Sequence, residues 1–312
     1  MTGTRPGDGE APAPAAGDYE ALRSGAGALV LERDFLEVAG PDAVGYLQGQ
    51  LSQDVAGLAP GASVWSLLLS PQGKLDALVR VTRTGEDTVV LDVDGGVGEV
   101  ARQRLERFRL RVKASVSTLD WRCVAVRGPG SAAAVAGEGP GPGVLAVPFE
   151  WNGVTGVDLL GPAPAPPAVA RACGRAAWEA VRVEAGIPAM GAELDERTIA
   201  AEADLLERAV SFTKGCYTGQ ELVARLDARG NRVARHLRGL VAADDAGAFA
   251  VGAAVSAGAK AVGAVTSAAW SPGLGRPVAL AYVHRAVAPP AEVTVGDPGS
   301  GTLAEVRALP LL

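Results

Sequence analysis

The sequence predicts an α+β protein that ends in an all-β unit, and three observations support this class. Before residue 235, short apolar runs typical of strands alternate with helical stretches. From residue 235 onward, only short apolar runs remain, and glycine and proline separate them, which is typical of a small barrel or sandwich. The chain has 312 residues, of which 48% are hydrophobic, enough for one large or two moderate domains.

The first elements follow from turn and helix signals. Residues 1–27 are poor in apolar runs and rich in Pro and Gly, so they predict a disordered tail without a secretion signal. Pro41 suits the first position of a helix near 42–51, and the turn at 70–73 joins two strands into a hairpin. The period-two alternation of 109–113 predicts a strand with a basic face. The elements predicted up to this point are strands over 28–31, 35–38, 64–69, 75–81 and 88–93, a helix over 97–108, and the strand over 109–113.

The remaining elements are read in the same way. The proline-rich segment 161–167 predicts an extended linker, and Gly186 ends the long helix that follows it. The predicted elements are a strand over 121–126, a helix over 131–136, helices over 168–185 and 200–209, and strands over 237–241, 261–270, 278–283, 291–295 and 302–307. We therefore divide the chain into a tail (1–27), an α+β domain (28–234) and a β-barrel domain (235–312).

Composition excludes several classes of protein. A net charge of −6 argues against broad coating of nucleic acid, although it leaves room for a local basic patch. Three cysteines without metal-ligand spacing fit a reducing, cytoplasmic compartment and cannot bind an iron–sulfur cluster alone. The most apolar stretch, 251–270, is interrupted by Lys260 and predicts no membrane span. The sequence contains neither a phosphate-binding P-loop nor a dinucleotide fingerprint.

Residues 214–221, Lys-Gly-Cys-Tyr-Thr-Gly-Gln-Glu, carry the strongest functional signal. We expect a loop that places Cys216 just before a helix, with Thr218 and Glu221 at the spacing of a capping box. A helix N-terminus stabilises an exposed anion by ~0.3–1 kcal/mol, and nearby Lys214 also favours a reactive thiolate. The alternative is a small buried Cys216 with Lys214 in water.

This segment, followed by Leu-Val-Ala-Arg, resembles the signature of the YgfZ family of folate-binding proteins of iron–sulfur cluster maintenance and tRNA modification. Weaker similarity to the wider aminomethyltransferase (T-protein) superfamily extends over about 28–240, including 40–43 and 182–188. The resemblance implies a T-protein fold in which two intertwined lobes and a C-terminal β-barrel form a three-lobed ring around a folate-sized opening. It also implies tetrahydrofolate, or a one-carbon derivative, as the ligand.

The resemblance implies site residues as well. Glu184, in the Arg-x-Glu-x-Gly segment, is expected to accept hydrogen bonds from the pterin ring, whereas the alternative is a surface carboxylate paired with an arginine. The resemblance implies Asp76 as the carboxylate that assists transfer to folate, but Ala77 replaces the second acid of the usual pair. The further folate contacts that we predict are Lys214, Tyr217, Gln220 and Arg225.

Basic clusters are a further possibility. Arg109, Arg111 and Lys113 form one, and Arg225, Arg229, Arg232, Arg235 and Arg238 form another. Either could bind the glutamate tail of folate or RNA phosphates, or be an ordinary solvated face. No aromatic residues alternate with them, so stacking of single-stranded RNA is not supported.

Three functions remain open at this stage. The first is a monomeric, tetrahydrofolate-binding accessory protein whose partners are iron–sulfur assembly proteins or client enzymes, with only an indirect link to tRNA. The second is a folate-dependent aminomethyl- or methyltransferase, which needs Asp76 but no cysteine. The third is a structural adaptor that has lost folate binding. The presence of Cys216 where a typical T-protein has none favours the first.

Overall fold

The computed structural model describes residues 14–243, 247–297 and 300–312. Of the predicted disordered tail, residues 1–13 lie outside this range, and the prediction is wrong for the rest. Helix α1 spans Ala16–Ser24 and strand β1 spans Gly27–Leu31. The carboxylate of Asp18 fixes α1 to the body of the protein, because it accepts hydrogen bonds from the Gly174 amide and the Arg171 guanidinium. Small residues make up much of this segment, so the sequence gives no clear helical pattern for α1, although its Leu22 is fully buried.

The first sheet is antiparallel throughout, with strand order β3-β4-β5-β2-β6. Its buried faces are rich in Val and Leu, and helices α2 and α3 cover one of them to form a separate apolar core. The elements are β2 (Arg33–Ala39), α2 (Ala43–Gln50), β3 (Ser63–Leu69), β4 (Leu75–Arg83), β5 (Thr88–Asp94), α3 (Gly98–Phe108) and β6 (Ser115–Leu119).

The second sheet has strand order β10-β1-β7-β9-β8 and is antiparallel except where β10 pairs with β1. Because β1 lies in this sheet and β2 in the other, with only Glu32 between them, the two lobes are intertwined from the start. The further elements are β7 (Arg122–Arg127), α4 (Ser131–Glu138), β8 (Leu145–Trp151), β9 (Val154–Gly161), β10 (Arg171–Ala172), α5 (Arg175–Ala185), a 3-10 helix (Ala200–Ala203), α6 (Leu206–Ala209) and α7 (Gln220–Asp227).

The C-terminal unit is a closed six-stranded barrel with strand order β11-β14-β13-β12-β15-β16. Closure pairs every strand and removes the exposed sheet edges that an open sheet would leave. The predicted α+β class with a terminal barrel is therefore confirmed. The strands are β11 (Arg235–Ala242), β12 (Ala254–Ala257), β13 (Lys260–Ser271), β14 (Arg276–His284), β15 (Ala291–Val295) and β16 (Thr302–Arg307).

Helix α5 lies at the centre of the molecule. It packs against α1 on one side and against barrel strands β13 and β14 on another. Its end matches the sequence signal, since Gly186 adopts a left-handed φ of 68° and the Ile187 amide donates to the Arg182 carbonyl. The largest apolar cluster joins α5 to both sheets and the barrel, and it includes Leu67, Val181 and Leu280.

Two predicted elements are wrong. Residues 109–113 form a turn, because Arg111 has a left-handed φ of 58° and the Arg109 guanidinium bonds back to Glu106 and to the Ala114 carbonyl. The basic residues of that segment therefore do not share a strand face. The long helix predicted over 168–185 begins only at Arg175, since the residues before it add β10 to the edge of the second sheet.

The helical stretch predicted over 200–209 is divided in two. Asp204 has a left-handed φ of 58° and separates the 3-10 helix from α6. Among the residues that the structure describes, no helix is long and apolar enough to cross a membrane.

Candidate functional site

Lys214 begins the conspicuous sequence segment, and it anchors what we call the cysteine loop, residues 214–219. Its Nζ donates to the carbonyl oxygens of Gln48, Leu51 and Gln53, at 2.6, 2.7 and 3.0 Å. These carbonyls lie at and just beyond the C-terminal end of α2, where helical carbonyls have no partner within the helix. Burial lowers the pKa of Lys214 to about 8, with Asp54 opposing the shift. All three donors of the ammonium group are thus occupied by the protein.

The next polar residues fasten the same loop. The Thr218 amide donates to the Gly49 carbonyl at 3.0 Å, and the Thr218 hydroxyl lies 3.5 Å from Gln50 Oε1. Gly219 has a φ of 83°, and a Cβ there would lie 2.5 Å from the Ser70 carbonyl oxygen. The loop is therefore pressed between the end of α2 and the turn of the β3–β4 hairpin.

The predicted capping box is wrong. Gly219, not Thr218, occupies the N-cap of α7, and no side chain caps that helix. Gln220 instead turns back, and its Oε1 accepts a hydrogen bond from the Tyr217 amide at 3.2 Å. The Tyr217 ring is half-buried against the main apolar cluster, with Lys214 Nζ 5.2 Å from its centroid.

Cys216 lies between these anchors and is exposed. Within the described ranges, no hydrogen bond involves its thiol, whereas Cys123 is buried and Cys173 is partly buried. Glu221 and Arg225 are also exposed on α7. The loop thus presents a thiol to solvent on a rigidly held backbone.

Asp76 lies on β4, and its Oδ2 is 3.2 Å from Arg104 Nε. Arg104 also donates to Gln50 Oε1 at 3.1 Å and to the Leu69 carbonyl at 3.0 Å. Burial raises the pKa of Asp76, and Arg104 opposes this shift. Through Arg104 and Gln50, Asp76 is connected to the Thr218 side of the cysteine loop.

Glu184 lies in a different environment. Its side chain has no exposed surface, and its two oxygens accept hydrogen bonds from the Tyr19 hydroxyl at 2.9 and 3.1 Å. The Ser271 hydroxyl donates to Oε1 at 2.5 Å, and Arg23 Nε lies 3.8 Å away. Burial raises the pKa of Glu184, although the two hydroxyl donors oppose it. The carboxylate joins α5 to α1 and to barrel strand β13.

A cavity of about 180 Å³ lies between the two sheets and α5. Its walls carry Trp65, Trp151 and Trp178, three of the five tryptophans of the chain, together with Phe149. These rings pack edge to face, with centroids 5.4 Å apart for Trp65 and Trp151 and 6.4 Å apart for Phe149 and Trp178. In a chain with 4% aromatic residues, these rings are therefore concentrated around one cavity.

Charged groups line the same cavity. Helix α5 contributes Arg175, Glu179 and Arg182 from the face that also carries Trp178. Arg127 and Asp158 lie deeper, and each has an atom that is buried without a hydrogen-bond partner among the described residues, Nε of Arg127 and Oδ1 of Asp158. Asp158 Oδ1 nevertheless forms an ion pair with Arg127 Nη1 at 2.7 Å, so the two buried charges compensate each other.

The structure thus separates the predicted site residues into groups. It brings Lys214, Cys216 and Tyr217 together in the cysteine loop, places Gln220 directly after that loop, and connects Asp76 to it. None of the seven predicted residues belongs to the lining of the aromatic cavity, and Glu184 is sealed away from it. Sequence reasoning missed the cavity residues, although the spacing of 175, 178, 179 and 182 on one helix face was a usable signal.

Comparisons with known proteins place these features in context. Residues 235–312 match the family model described as the glycine cleavage T-protein C-terminal barrel domain. The chain is 30% identical over 295 residues to an aminomethyltransferase from Rubrobacter xylanophilus, a match that covers 85% of this chain and 78% of that protein.

Two other relatives carry different names. The chain is 28% identical to the tRNA-modifying protein YgfZ of Vibrio vulnificus, over 69% of this chain and 70% of that protein. It is also 28% identical to an iron-sulfur cluster assembly factor IBA57 homolog from Chaetomium globosum, over 64% of this chain and 52% of that protein. The chain spans about two thirds of the length of the first curated relatives that it matches.

A solved structure has the same fold. The glycine cleavage system aminomethyltransferase T from Bartonella henselae superposes with a TM-score of 0.83 at 23% identity, covering 95% of this chain and 89% of that one.

Proposed function

The chain belongs to the aminomethyltransferase (glycine cleavage T-protein) superfamily, and we propose that it is a tetrahydrofolate-binding accessory protein for the assembly or repair of iron–sulfur proteins. Cys216 is its reactive group, and the aromatic cavity is its folate site. An effect on tRNA modification then follows indirectly, through iron–sulfur enzymes that modify tRNA. The reactions take place in the reducing cytoplasm, where a free thiol persists.

The aromatic cavity supports the folate part of this proposal. A reduced pterin is a nearly flat heterocycle with several hydrogen-bond donors and acceptors on one edge. The cavity provides flat walls in Trp65, Trp151 and Trp178, and its charged lining includes the exposed Arg175 and the buried ion pair of Arg127 and Asp158. The residues present therefore fit such a group. When bound there, the folate supplies one-carbon chemistry, and the protein orients the ring and excludes water from it.

One observation carries the accessory role, namely the way the cysteine loop is held. Lys214, Thr218 and Gln220 use their polar groups to fix the backbone, whereas the Cys216 thiol is exposed and takes no part in that anchoring. A protein gains nothing in stability from an exposed, unpaired thiol on a rigid loop. Such a thiol is accessible to a partner protein. Its thiolate can bind a metal ion transiently as a substrate, or it can attack the outer sulfur of a partner's persulfide, so that the partner leaves as a thiol.

A second function, folate-dependent aminomethyl transfer, is favoured by the aminomethyltransferase relative that covers most of the chain. It requires a carboxylate that meets the folate. Asp76 lies beside Arg104 and outside the lining of the cavity, and Ala77 follows it where a second acid is usual. These contacts support the accessory role over the transfer reaction.

Complementation separates the two functions. A strain lacking the protein is rescued with wild type, Cys216→Ser or Asp76→Asn, and iron–sulfur enzyme activities are assayed in extracts. Cys173→Ser is the matched control, because this half-buried thiol is remote from the cysteine loop in sequence. We expect Cys216→Ser alone to fail.

Rescue by Cys216→Ser together with failure of Asp76→Asn contradicts the accessory role and favours transfer. Direct titration of the purified protein with tetrahydrofolate tests the folate site. The three cavity tryptophans provide the signal, since a stacked pterin quenches their fluorescence.

A further inference from the structure

Phe212 is the one aromatic side chain that is exposed among the residues that the structure describes, and 51% of its surface is accessible to solvent. The other aromatic rings are buried or partly buried. Phe212 precedes the exposed Cys216 by four residues, a separation of at most about 14 Å. Because aromatic residues are enriched in protein interfaces, a ring exposed next to a reactive thiol is typical of a surface that a partner protein covers.

The backbone that carries both side chains is fixed to residues 48–53, at the end of α2 and just after it. The Ser211 amide, directly before the phenyl ring, donates to the Ser52 carbonyl at 3.0 Å. Lys214 Nζ and the Thr218 amide donate to other carbonyls of the same stretch. Since this backbone is already ordered, it loses little conformational entropy when a partner binds.

A basic rim, which we define as Arg225, Arg229 and Arg232, lies on α7 and the turn that follows it. All three side chains are exposed, and within the described ranges none of them forms an ion pair. The helical rise and the length of an extended chain place Arg225 within about 22 Å of Cys216. An ordinary interface covers about 800 Å² of each partner, a patch about 30 Å across. One partner can therefore contact both the thiol and the rim.

Acidic residues are fewer than basic ones in this region. Glu221 and Asp227 are exposed on α7, but neither forms an ion pair with another described residue, and Asp227 lies two positions from Arg225, on a different side of the helix. The β3–β4 turn packs against Leu222 of α7 and adds the exposed Lys74. The region is thus locally positive on a chain whose net charge is −6.

We propose that Phe212, Cys216 and the basic rim form one docking surface, and that its occupant is a partner protein with an apolar pocket for the Phe212 ring and carboxylates around that pocket. Opposite charges speed the encounter and orient the partner, and the ring is the anchor. Single-stranded RNA fits less well, because its bases stack on successive aromatic rings and only one ring is exposed here. The inference rests on the proposed function and adds to it the chemistry of the partner that Cys216 meets.

The first test places Phe212→Ser in the complementation assay, with Val169→Ser as the matched control, because Val169 is 74% exposed on the segment before β10. Truncating an anchor weakens a protein complex by about 30-fold or more, so Phe212→Ser should lose most of the rescue and Val169→Ser should match wild type. Urea unfolding of Phe212→Ser, and alkylation of its Cys216 by iodoacetamide, should stay within about twofold of wild type. Full rescue by Phe212→Ser overturns the inference. A loss of rescue with a changed alkylation rate also overturns it, because the loop itself is then the cause.

The second test measures the charge preference of Cys216 with two peptides, each with one cysteine joined in a disulfide to pyridine-2-thiol. One peptide has four glutamates around this cysteine, and the other has four glutamines. The Cys216 thiolate attacks the cysteine sulfur of the peptide, and pyridine-2-thione leaves and is measured by its absorbance. All proteins in this test carry Cys173→Ser, which removes the partly buried thiol.

We expect the acidic peptide to react about 3- to 10-fold faster than the glutamine peptide at low salt, and at the same rate in about 1 M NaCl. The double variant Arg225→Gln/Arg229→Gln should lose most of this preference, whereas Arg122→Gln/Lys260→Gln, which removes two exposed charges elsewhere, should keep it. Equal rates in the protein with both arginines, or an unchanged preference without them, overturn the inference. Equal rates together with binding of a single-stranded RNA that requires the two arginines assign the rim to RNA instead. The proposed function fails separately, if Cys216→Ser rescues the strain, and the inference then falls with it.

Discussion

The Glu184→Ala substitution discriminates between the role implied by the sequence and the contacts seen in the structure. The side chain is fully buried, and its oxygens accept hydrogen bonds from Tyr19 and Ser271. Removing it leaves both hydroxyl groups without their acceptor, and Ser271 is itself completely buried. Each buried polar group left unpaired costs about 1–3 kcal/mol. Relief of the desolvated charge offsets part of this, so we expect a net loss of about 3 kcal/mol in the free energy of unfolding.

Urea unfolding, followed by tryptophan fluorescence, measures this loss, and tetrahydrofolate titration of the folded variant measures affinity. We expect Glu184→Gln to recover much of the stability, since its amide oxygen still accepts a hydrogen bond. Both variants should bind tetrahydrofolate within about threefold of wild type, because affinity changes only where a contact with the ligand is lost. A large fall in affinity with unchanged stability would refute this reasoning and restore Glu184 as a pterin ligand.

Three further predictions concern the loop, the buried charges and the cavity. Lys214→Met removes three hydrogen bonds and should destabilise the protein by about 2 kcal/mol or more in urea unfolding, with altered alkylation kinetics at Cys216. The folded-state pKa of Asp158 lies below the usual 3.8. The ionised carboxylate therefore stabilises the folded protein above about pH 3.8, and this stabilisation is lost as the pH falls. In Asp158→Asn, the free energy of unfolding should depend less on pH in the acid range. Tetrahydrofolate should quench less tryptophan fluorescence in Trp178→Phe than in wild type. In the control Trp270→Phe, which alters a barrel tryptophan, tetrahydrofolate should still quench the fluorescence of the cavity tryptophans.

Local sequence signals predicted those parts of the fold that depend on local chemistry. The hairpin around 70–73, the end of α5 at Gly186 and the strands of the barrel agree with glycine, proline and periodicity signals. Closure of the barrel could not be decided from the sequence, since barrel and sandwich strands share the same pattern. The element boundaries that were predicted wrongly depend on contacts between residues far apart in the sequence. Helix α1 is held by Asp18 and Tyr19 across more than 150 residues, a separation that no local pattern encodes.

Only the part of the candidate site that is contiguous in the sequence was predicted, because the rest depends on contacts between distant residues. The cysteine loop was found because its residues are contiguous, although the anchoring carbonyls of α2 lie more than 160 residues earlier. The cavity was missed because its lining comes from both sheets and α5. Trp65, Trp151 and Trp178 are far apart in the chain, and only the fold brings them together. Glu184 was assigned from its segment alone, without its partners.

The spacing of the Lys-Gly-Cys-Tyr-Thr-Gly-Gln-Glu segment follows from the helix end that it covers. Lys214 reaches three carbonyls of the α2 terminus, Thr218 meets a fourth, and Gly219 allows close contact with the hairpin turn. In the same way, the hydrogen bonds that Glu184 accepts from Tyr19 and Ser271 support a structural role for this carboxylate, and its part in folate binding stays a prediction that the titration above tests. Among the described residues, hydrogen-bonding capacity is left unused by the exposed Cys216 thiol and by a few buried atoms, of which Arg127 Nε belongs to the aromatic cavity and Arg104 Nε lies beside Asp76.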